Sequence, residues 1–131
     1  TKIIGVDIVK SAIEDAEKNA KRNNIEGLDF YAADVGKFLS DNPKFKNKIS
    51  TIILDPARAG ITPKTLIKII ALNANRMIYI SCNPATQARD TQQLMEAGYA
   101  INKISLVDQF PHTAHIETIV LFEKAIILDK T

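Results

Sequence analysis

The sequence has one cysteine in 131 residues, which excludes an internal disulfide and a cysteine-built metal cluster. Long hydrophobic runs are also missing: none approaches the ~20 residues that a membrane-crossing helix needs. Charge of one sign is not in excess, with 17 Lys and Arg against 15 Asp and Glu. That balance announces no polyanion-binding surface by itself, so any such contact must rest on particular residues. The amino terminus has no signal-peptide pattern, because Thr1 to Val6 runs straight into Asp7. With a lone thiol, this favours a reducing cytoplasm. No internal repeat or low-complexity segment is present.

The chain does contain enough apolar sequence, 46%, to bury one core, and it is too short for two ordinary domains. A single domain over residues 1–131 is therefore expected. Ile3 to Val6 is a short run rich in β-branched residues ending at Asp7, which suits a buried parallel strand. Lys10 to Asn23 reads as a helix, with Ile13, Ala16 and Ala20 at helical spacing beside a charged face. Gly27 restarts the chain as a strand, Leu28 to Ala33, followed by Asp34, a short helix over Val35 to Leu39 and an exposed polar loop from Ser40 to Lys48. Ile49 to Leu54 is the clearest buried strand. Thr62-Pro63 starts a helix with apolar Leu66, Ile69 and Ile70. Met77 to Ile80 is a strand, Ser81 to Pro84 a turn, and Ala85 to Ala97 a helix closed by Gly98. Tyr99 to Val107 and Ile116 to Phe122 are strands with no helix between them, as in an antiparallel hairpin. Ala125 to Thr131 reads as a tail.

Repeated βα units ending in two adjacent strands define an α/β doubly wound sheet, and such sheets bind ligands outside their strand carboxyl ends. Asp7, Asp34, Asp55 and Cys82 fall at those ends. A carboxylate in the position of Asp7 suits the two ribose hydroxyls of a nucleotide-type cofactor; it also suits the start of a helix. Asp34 has the same two readings, an acceptor for an adenine amino group or a helix cap. Gly5 and Gly27 form no G-x-G cluster, so either the fold binds no nucleotide or its first strand and loop precede Thr1. The second alternative is the expectation. Cys82 lies between a strand and a helix start, where backbone dipoles and partial exposure favour a thiolate; a small core residue is the competing reading. Asp108 to Glu117 gathers His112, His115 and Glu117. The histidines have only Cys82 as a soft partner and there is no H-E-x-x-H pattern, so no metal site is expected. Glu117 suits a proton acceptor or an exposed strand acid.

Three segments taken together resemble the RNA 5-methyluridine methyltransferase family. They are Asp55-Pro56-Ala57-Arg58-Ala59-Gly60, then Tyr79-Ile80-Ser81-Cys82-Asn83-Pro84-Ala85-Thr86 with Ala88-Arg89-Asp90, and Phe110-Pro111-His112-Thr113-Ala114-His115-Ile116-Glu117. The resemblance runs through the chain in order, and the last two segments are nearer to the 23S ribosomal-RNA branch than to the transfer-RNA branch. It implies a Rossmann-like class I S-adenosylmethionine-dependent methyltransferase fold, mostly parallel with a terminal antiparallel hairpin and lacking the first βα unit. It also implies Cys82 as nucleophile, Glu117 as general base, Asp7 and Asp34 as cofactor contacts, and Asp55 as an acid near cofactor and base. S-adenosyl-L-methionine is the implied cofactor and RNA, ribosomal above all, the implied partner. The family's cofactor loop, its RNA-binding domain and, in many members, an iron-sulfur cluster would lie upstream. Gln87 departs from the family pattern, where a leucine is common.

The chemistry explains the residue types. Uracil C5 is a poor nucleophile until a thiolate adds at C6; after methyl transfer a base removes the C5 proton and the thiolate leaves. Stacked C5 and C6 are out of reach, so the target is an unpaired or flipped nucleotide. Arg58, Arg89 and the histidines are candidate phosphate contacts. Two other readings remain: a methyltransferase of the same fold acting on an amino nitrogen or small molecule, with Asp55-Pro56 on the substrate side, and a noncatalytic fragment.

Overall fold

The structure, a computed structural model, describes residues 2–109 and 111–125. The chain divides into two compact units, Thr1–Pro43 and Lys44–Thr131.

In the first unit, strand β1 (Ile3–Asp7), helix α1 (Lys10–Arg22), strand β2 (Leu28–Ala32) and helix α2 (Val35–Asp41) follow in order. The strands pair in parallel from Ile3 opposite Leu28 to Asp7 opposite Ala32, with α1 as the crossover. The stripe on α1 emerges as expected, with Ile13 buried and Ala16 and Ala20 half-buried while the charged residues face water. Gly5 is required by its partner across the ladder: a Cβ there would stand 2.6 Å from the Phe30 ring. Ile3 is 53% exposed, so β1 is not the buried strand its apolar run suggests. Each strand of a two-stranded sheet is an edge, and β-branched residues report strand conformation rather than burial.

Helix α2 runs on to Asp41, two residues into the stretch read as loop. Phe38, buried 4.9 Å from the Tyr31 ring, holds the helix down. Ser40 donates to the Gly36 carbonyl and Lys37 pairs with Asp41, so polar residues complete the last turn rather than break it. A 3₁₀ turn occupies Pro43–Phe45.

The second unit contains strand β3 (Thr51–Leu54), helix α3 (Pro63–Ile70), strand β4 (Arg76–Ser81), helix α4 (Pro84–Glu96), strand β5 (Tyr99–Val107) and strand β6 (Glu117–Lys124). Its four strands are ordered β3-β4-β6-β5. The β3–β4 pairing is parallel, while β6 runs antiparallel to both of its neighbours. The terminal hairpin thus closes the sheet as expected, with its second strand inserted against β4. The expected buried strand is here an edge: among its residues only Leu54 is buried, and Ile53 is 67% exposed.

Alternate side chains of β4 and β6 point to one face, so Met77, Tyr79 and Ser81 lie with Phe122, Val120 and Thr118. Leu66 of α3 and Leu94 of α4 complete that core, and each such large apolar side chain contributes about 2 kcal/mol of burial. Thr62 caps α3 with Pro63 in its first turn, as the sequence foretells, whereas α4 begins one residue early, at Pro84 inside the stretch read as a turn, with Asn83 as its cap.

Two hydroxyls end in this core. Tyr79 donates to Asp90 Oδ2 at 2.7 Å and Tyr99 to the Ala74 carbonyl at 2.6 Å. Burial, and then for Tyr79 the hydrogen bond and charge of Asp90, raises both phenols above the ordinary value of 10.0. Unfolding in alkali therefore releases their protons, so this stability is full below about pH 10 and is lost as pH rises above it. Tyr79→Phe should cost about 1–2 kcal/mol at neutral pH and weaken the alkaline decline, as measured by thermal midpoints across pH.

Candidate active site

The Asp55–Gly60 segment leaves β3 as a tight loop, closed by a Gly60 N–H to Ala57 carbonyl bond of 2.8 Å. Asp55 is exposed and, among the described residues, has no hydrogen-bond or ion-pair partner. The Arg58 carbonyl accepts from Asn83 Nδ2 at 3.0 Å and from Thr86 Oγ1 at 3.1 Å, fastening the loop to the start of α4.

Asp90 makes the second fastening. It is 3% exposed, and its Oδ2 accepts from the Ile61 N–H and the Tyr79 hydroxyl while Oδ1 accepts from Arg89 Nε and Nη2. Arg89 Nη2 also donates to the Ala59 and Ile61 carbonyls. Nε and Nη2 of Arg89 thus hold Asp90 and the loop, while the side chain stays 53% exposed. Gly60 fits beneath this pair at φ +74°, and a Cβ there would meet Arg89 Nη2 at 2.7 Å and Asp90 Oδ2 at 2.8 Å.

Cys82 is partly exposed in the turn between β4 and α4. Ser81 builds the turn, since its hydroxyl accepts from the Asn83 N–H at 2.9 Å and donates to the Asn83 carbonyl at 3.0 Å. Asn83 then caps the helix through the Ala85 N–H. Ser81 pairs with Thr118 in the β4–β6 ladder, so one step further along each strand brings Cys82 beside Glu117. Both line a cleft of about 250 Å³ with Arg58, Thr113, His115 and Ile116.

Arg58 Nη2 stands 3.4 Å from His115 Nδ1. This contact places the two side chains together at the cleft. His112 is not among the lining residues and occupies the left-handed region at φ 72°. Phe110 lies outside the described residues, as does most of the stretch read as a tail. No group of three or more His, Cys, Asp or Glu is arranged to hold a metal among the described residues.

In the first unit, both carboxylates stand exposed at strand ends. Asp7 Oδ1 accepts from the Val9 N–H at 2.7 Å, and Asp34 Oδ1 caps α2 through the Lys37 N–H at 2.8 Å. The capping role foreseen for Asp34 is therefore present. Each carboxylate keeps a second oxygen that takes part in neither bond, so both suit a nucleoside-type ligand with hydroxyl and amino donors.

The sequence profile described as tRNA (Uracil-5-)-methyltransferase matches residues 1–125. The chain belongs to this family. An uncharacterized RNA methyltransferase of Clostridium acetobutylicum is 42% identical over 126 residues, 96% of the chain and 27% of the relative. The 23S rRNA (uracil(1939)-C(5))-methyltransferase of Salmonella typhi is 40% identical over 122 residues, 93% of the chain and 28% of the relative. The chain thus spans little more than a quarter of these relatives' length. The Pyrococcus abyssi tRNA (uracil-54, C5)-methyltransferase, solved with S-adenosyl-L-homocysteine, matches at a TM-score of 0.75 and 32% identity, over 92% of this chain and 28% of that one. A Streptococcus pneumoniae putative tRNA (m1A22) methyltransferase, solved with S-adenosyl-L-methionine, shares the fold alone, at a TM-score of 0.73 and 16% identity over 95% of this chain and 55% of that one. The fold is the α/β fold of class I methyltransferases, as the sequence led one to expect.

Sequence reasoning passed over Tyr79, Gln87 and Thr118 as site-shaping residues, and gave Asp90 no role of its own. A signal was available for two of them. Gln87, Asp90 and Leu94 fall at i, i+3 and i+7 on α4, so two polar residues occupy its core-facing stripe. Gly60→Ala combines left-handed strain with a clash against the Arg89–Asp90 pair. It should lower stability by roughly 1–3 kcal/mol in chemical denaturation.

Proposed function

We propose that the protein carrying this chain methylates C5 of a uridine in RNA, with Cys82 as nucleophile and Glu117 as proton acceptor. The observation that carries this reading is that Cys82 and Glu117 line one cleft from facing ends of β4 and β6.

Cys82 Sγ donates an electron pair to C6, and the C5–C6 π electrons pass toward C5 and O4 as an enolate. S-adenosylmethionine, when bound, supplies the methyl group as an electrophilic sulfonium. The Glu117 carboxylate then takes the C5 proton, the C5–C6 double bond re-forms, and Cys82 departs as a thiolate. Ile116 gives the cleft an apolar wall, while Arg58 and His115 supply donors. Asp7 and Asp34 would hold the cofactor by its ribose hydroxyls and adenine amino group, and Asp55 is assigned the acidic role that the family resemblance implies. Their exposure and unused acceptor oxygens support this assignment.

Ribosomal RNA is the preferred substrate class, because the Salmonella relative named for 23S rRNA is 40% identical and the Pyrococcus tRNA enzyme 32%. The cytoplasm, which keeps a lone thiol reduced, suits the chemistry.

The protein carrying the chain should form a denaturant-stable adduct with 5-fluorouridine-substituted 23S rRNA in the presence of S-adenosylmethionine, because fluorine at C5 cannot be removed as a proton. Cys82→Ala should abolish it, and an adduct surviving that change would remove Cys82 from the mechanism. Adduct formation with tRNA instead would reassign the substrate. Glu117→Gln should slow turnover on ordinary uridine by at least about 10²-fold and leave a covalent complex behind. Mass mapping should find the methyl on C5; a methyl on nitrogen would favour the amino-methylating reading.

A further inference from the structure

Of the two polar residues on the core stripe of α4, Asp90 serves the Asp55–Gly60 loop and Gln87 does not. Gln87 is 5% exposed and its amide reaches two strands: Nε2 donates to the Tyr79 carbonyl on β4 at 3.0 Å, and Oε1 accepts from the Thr118 hydroxyl on β6. The same hydroxyl stands 3.3 Å from the Ser81 carbonyl. Ser81, Thr118 and Gln87 are all buried, and no buried side-chain polar atom lacks a partner among the described residues. A leucine at this position could make neither bond of Gln87.

This amide acts beside the last rung of the β4–β6 ladder, the Ser81–Thr118 pair: it holds Thr118 itself and, on β4, the Tyr79 carbonyl two residues before Ser81. At that rung the β4–β6 pairing ends: β4 enters the Ser81–Asn83 turn, and β6 is entered from the segment carrying Thr113, His115 and Ile116. Ladder ends fray most readily, and here the next residue on each strand is Cys82, which has left the sheet, or Glu117, which is held on its other side by pairing with Val107 of β5 but has no rung with β4.

We propose that Gln87 is a positioning residue that fixes the Cys82–Glu117 spacing by clamping their strands together at that rung. The inference rests on the uracil-methyltransferase reading above. Once Cys82 is bonded to C6, the uracil ring moves with β4, whereas Glu117 must reach the C5 proton from β6. Loosening the clamp therefore slows proton removal more than adduct formation, since misplacing a reacting group by a fraction of an ångström costs rate steeply.

The experiment uses the complete protein carrying this chain, with unmodified RNA and S-adenosylmethionine, and measures kcat, KM for RNA and the fraction of protein held as denaturant-stable RNA complex. Thr118→Val keeps shape and removes the hydroxyl; Thr118→Ser keeps the hydroxyl and loses a methyl. Thr118→Val and Gln87→Leu should each lower kcat about tenfold with KM unchanged, and raise the trapped fraction. Thr118→Ser should stay within about twofold of the unaltered protein. A packing role predicts the reverse order, because serine leaves the larger void, so slower turnover by Thr118→Ser than by Thr118→Val overturns the proposal. So does a fall in turnover with no gain in trapped complex, or unchanged turnover in Thr118→Val. Cys82→Ala and 5-fluorouridine RNA are run alongside. Absence of any Cys82-dependent adduct sinks the methyltransferase reading and this inference with it, whereas a normal adduct with a silent Thr118→Val sinks the clamp alone.

Discussion

The antiparallel pairing of β4 with β6 is the constraint on which the candidate site depends. Cys82 and Glu117 are 35 residues apart in sequence, and neither sits in a segment that could find the other locally. The ladder from Arg76–Glu123 to Ser81–Thr118 fixes their meeting by register. A one-residue slip of either strand would turn its own apolar set, Met77 and Tyr79 on β4 or Val120 and Phe122 on β6, out of the core, so the apolar pattern that buries this face also sets which residues stand at its open end. Stability and site geometry are written in the same alternation.

A second layer holds the loop after β3. Asp90 would be costly to bury alone, and its carboxylate is accommodated because four donor contacts converge on it. One helix residue thereby ties together β4 through Tyr79, the loop end through Ile61 and, through Arg89, the loop's own carbonyls. The Arg58 carbonyl, held by Asn83 and Thr86, completes the frame around the cleft. The first two segments that carry the family resemblance are therefore in contact for physical reasons, the first supplying acceptors and the second donors, and Thr113 to Glu117 of the third joins them at the cleft through His115 beside Arg58.

Much of this was legible in the residues, and the rest was not for identifiable reasons. The helix start at Thr62-Pro63, the α1 stripe and the strand Tyr99 to Val107 depend on local chemistry, and they stand where the sequence puts them. Burial of β1 and β3 was misread because an apolar β-branched run encodes strand conformation, while edge position depends on which strands pair elsewhere in the chain. Helix α2 outran its expected end because Phe38 packing outweighed the polar composition of its last turn. The contacts of Arg89 with the loop were not legible, because sequence cannot tell whether a guanidinium finds carbonyls 28 and 30 residues away.

Polar residues in the core of the second unit also bear on how the fold is specified. An apolar side chain in place of Gln87 would pack against β4 and β6 without preferring one register or spacing, since hydrophobic contact is non-directional. A carboxamide with both ends satisfied is directional, and it tolerates only the arrangement in which the Tyr79 carbonyl and the Thr118 hydroxyl lie on opposite sides of it. Its net contribution to stability is modest, because water would satisfy the same groups in the unfolded chain. Its selectivity is not modest, because any displaced arrangement strands buried donors and acceptors without partners. The same holds for the Asp90 cluster one turn along α4. Both sit on the helix face directed at the strands that end in Cys82 and Glu117, where uniqueness of geometry matters more than the depth of the folded minimum.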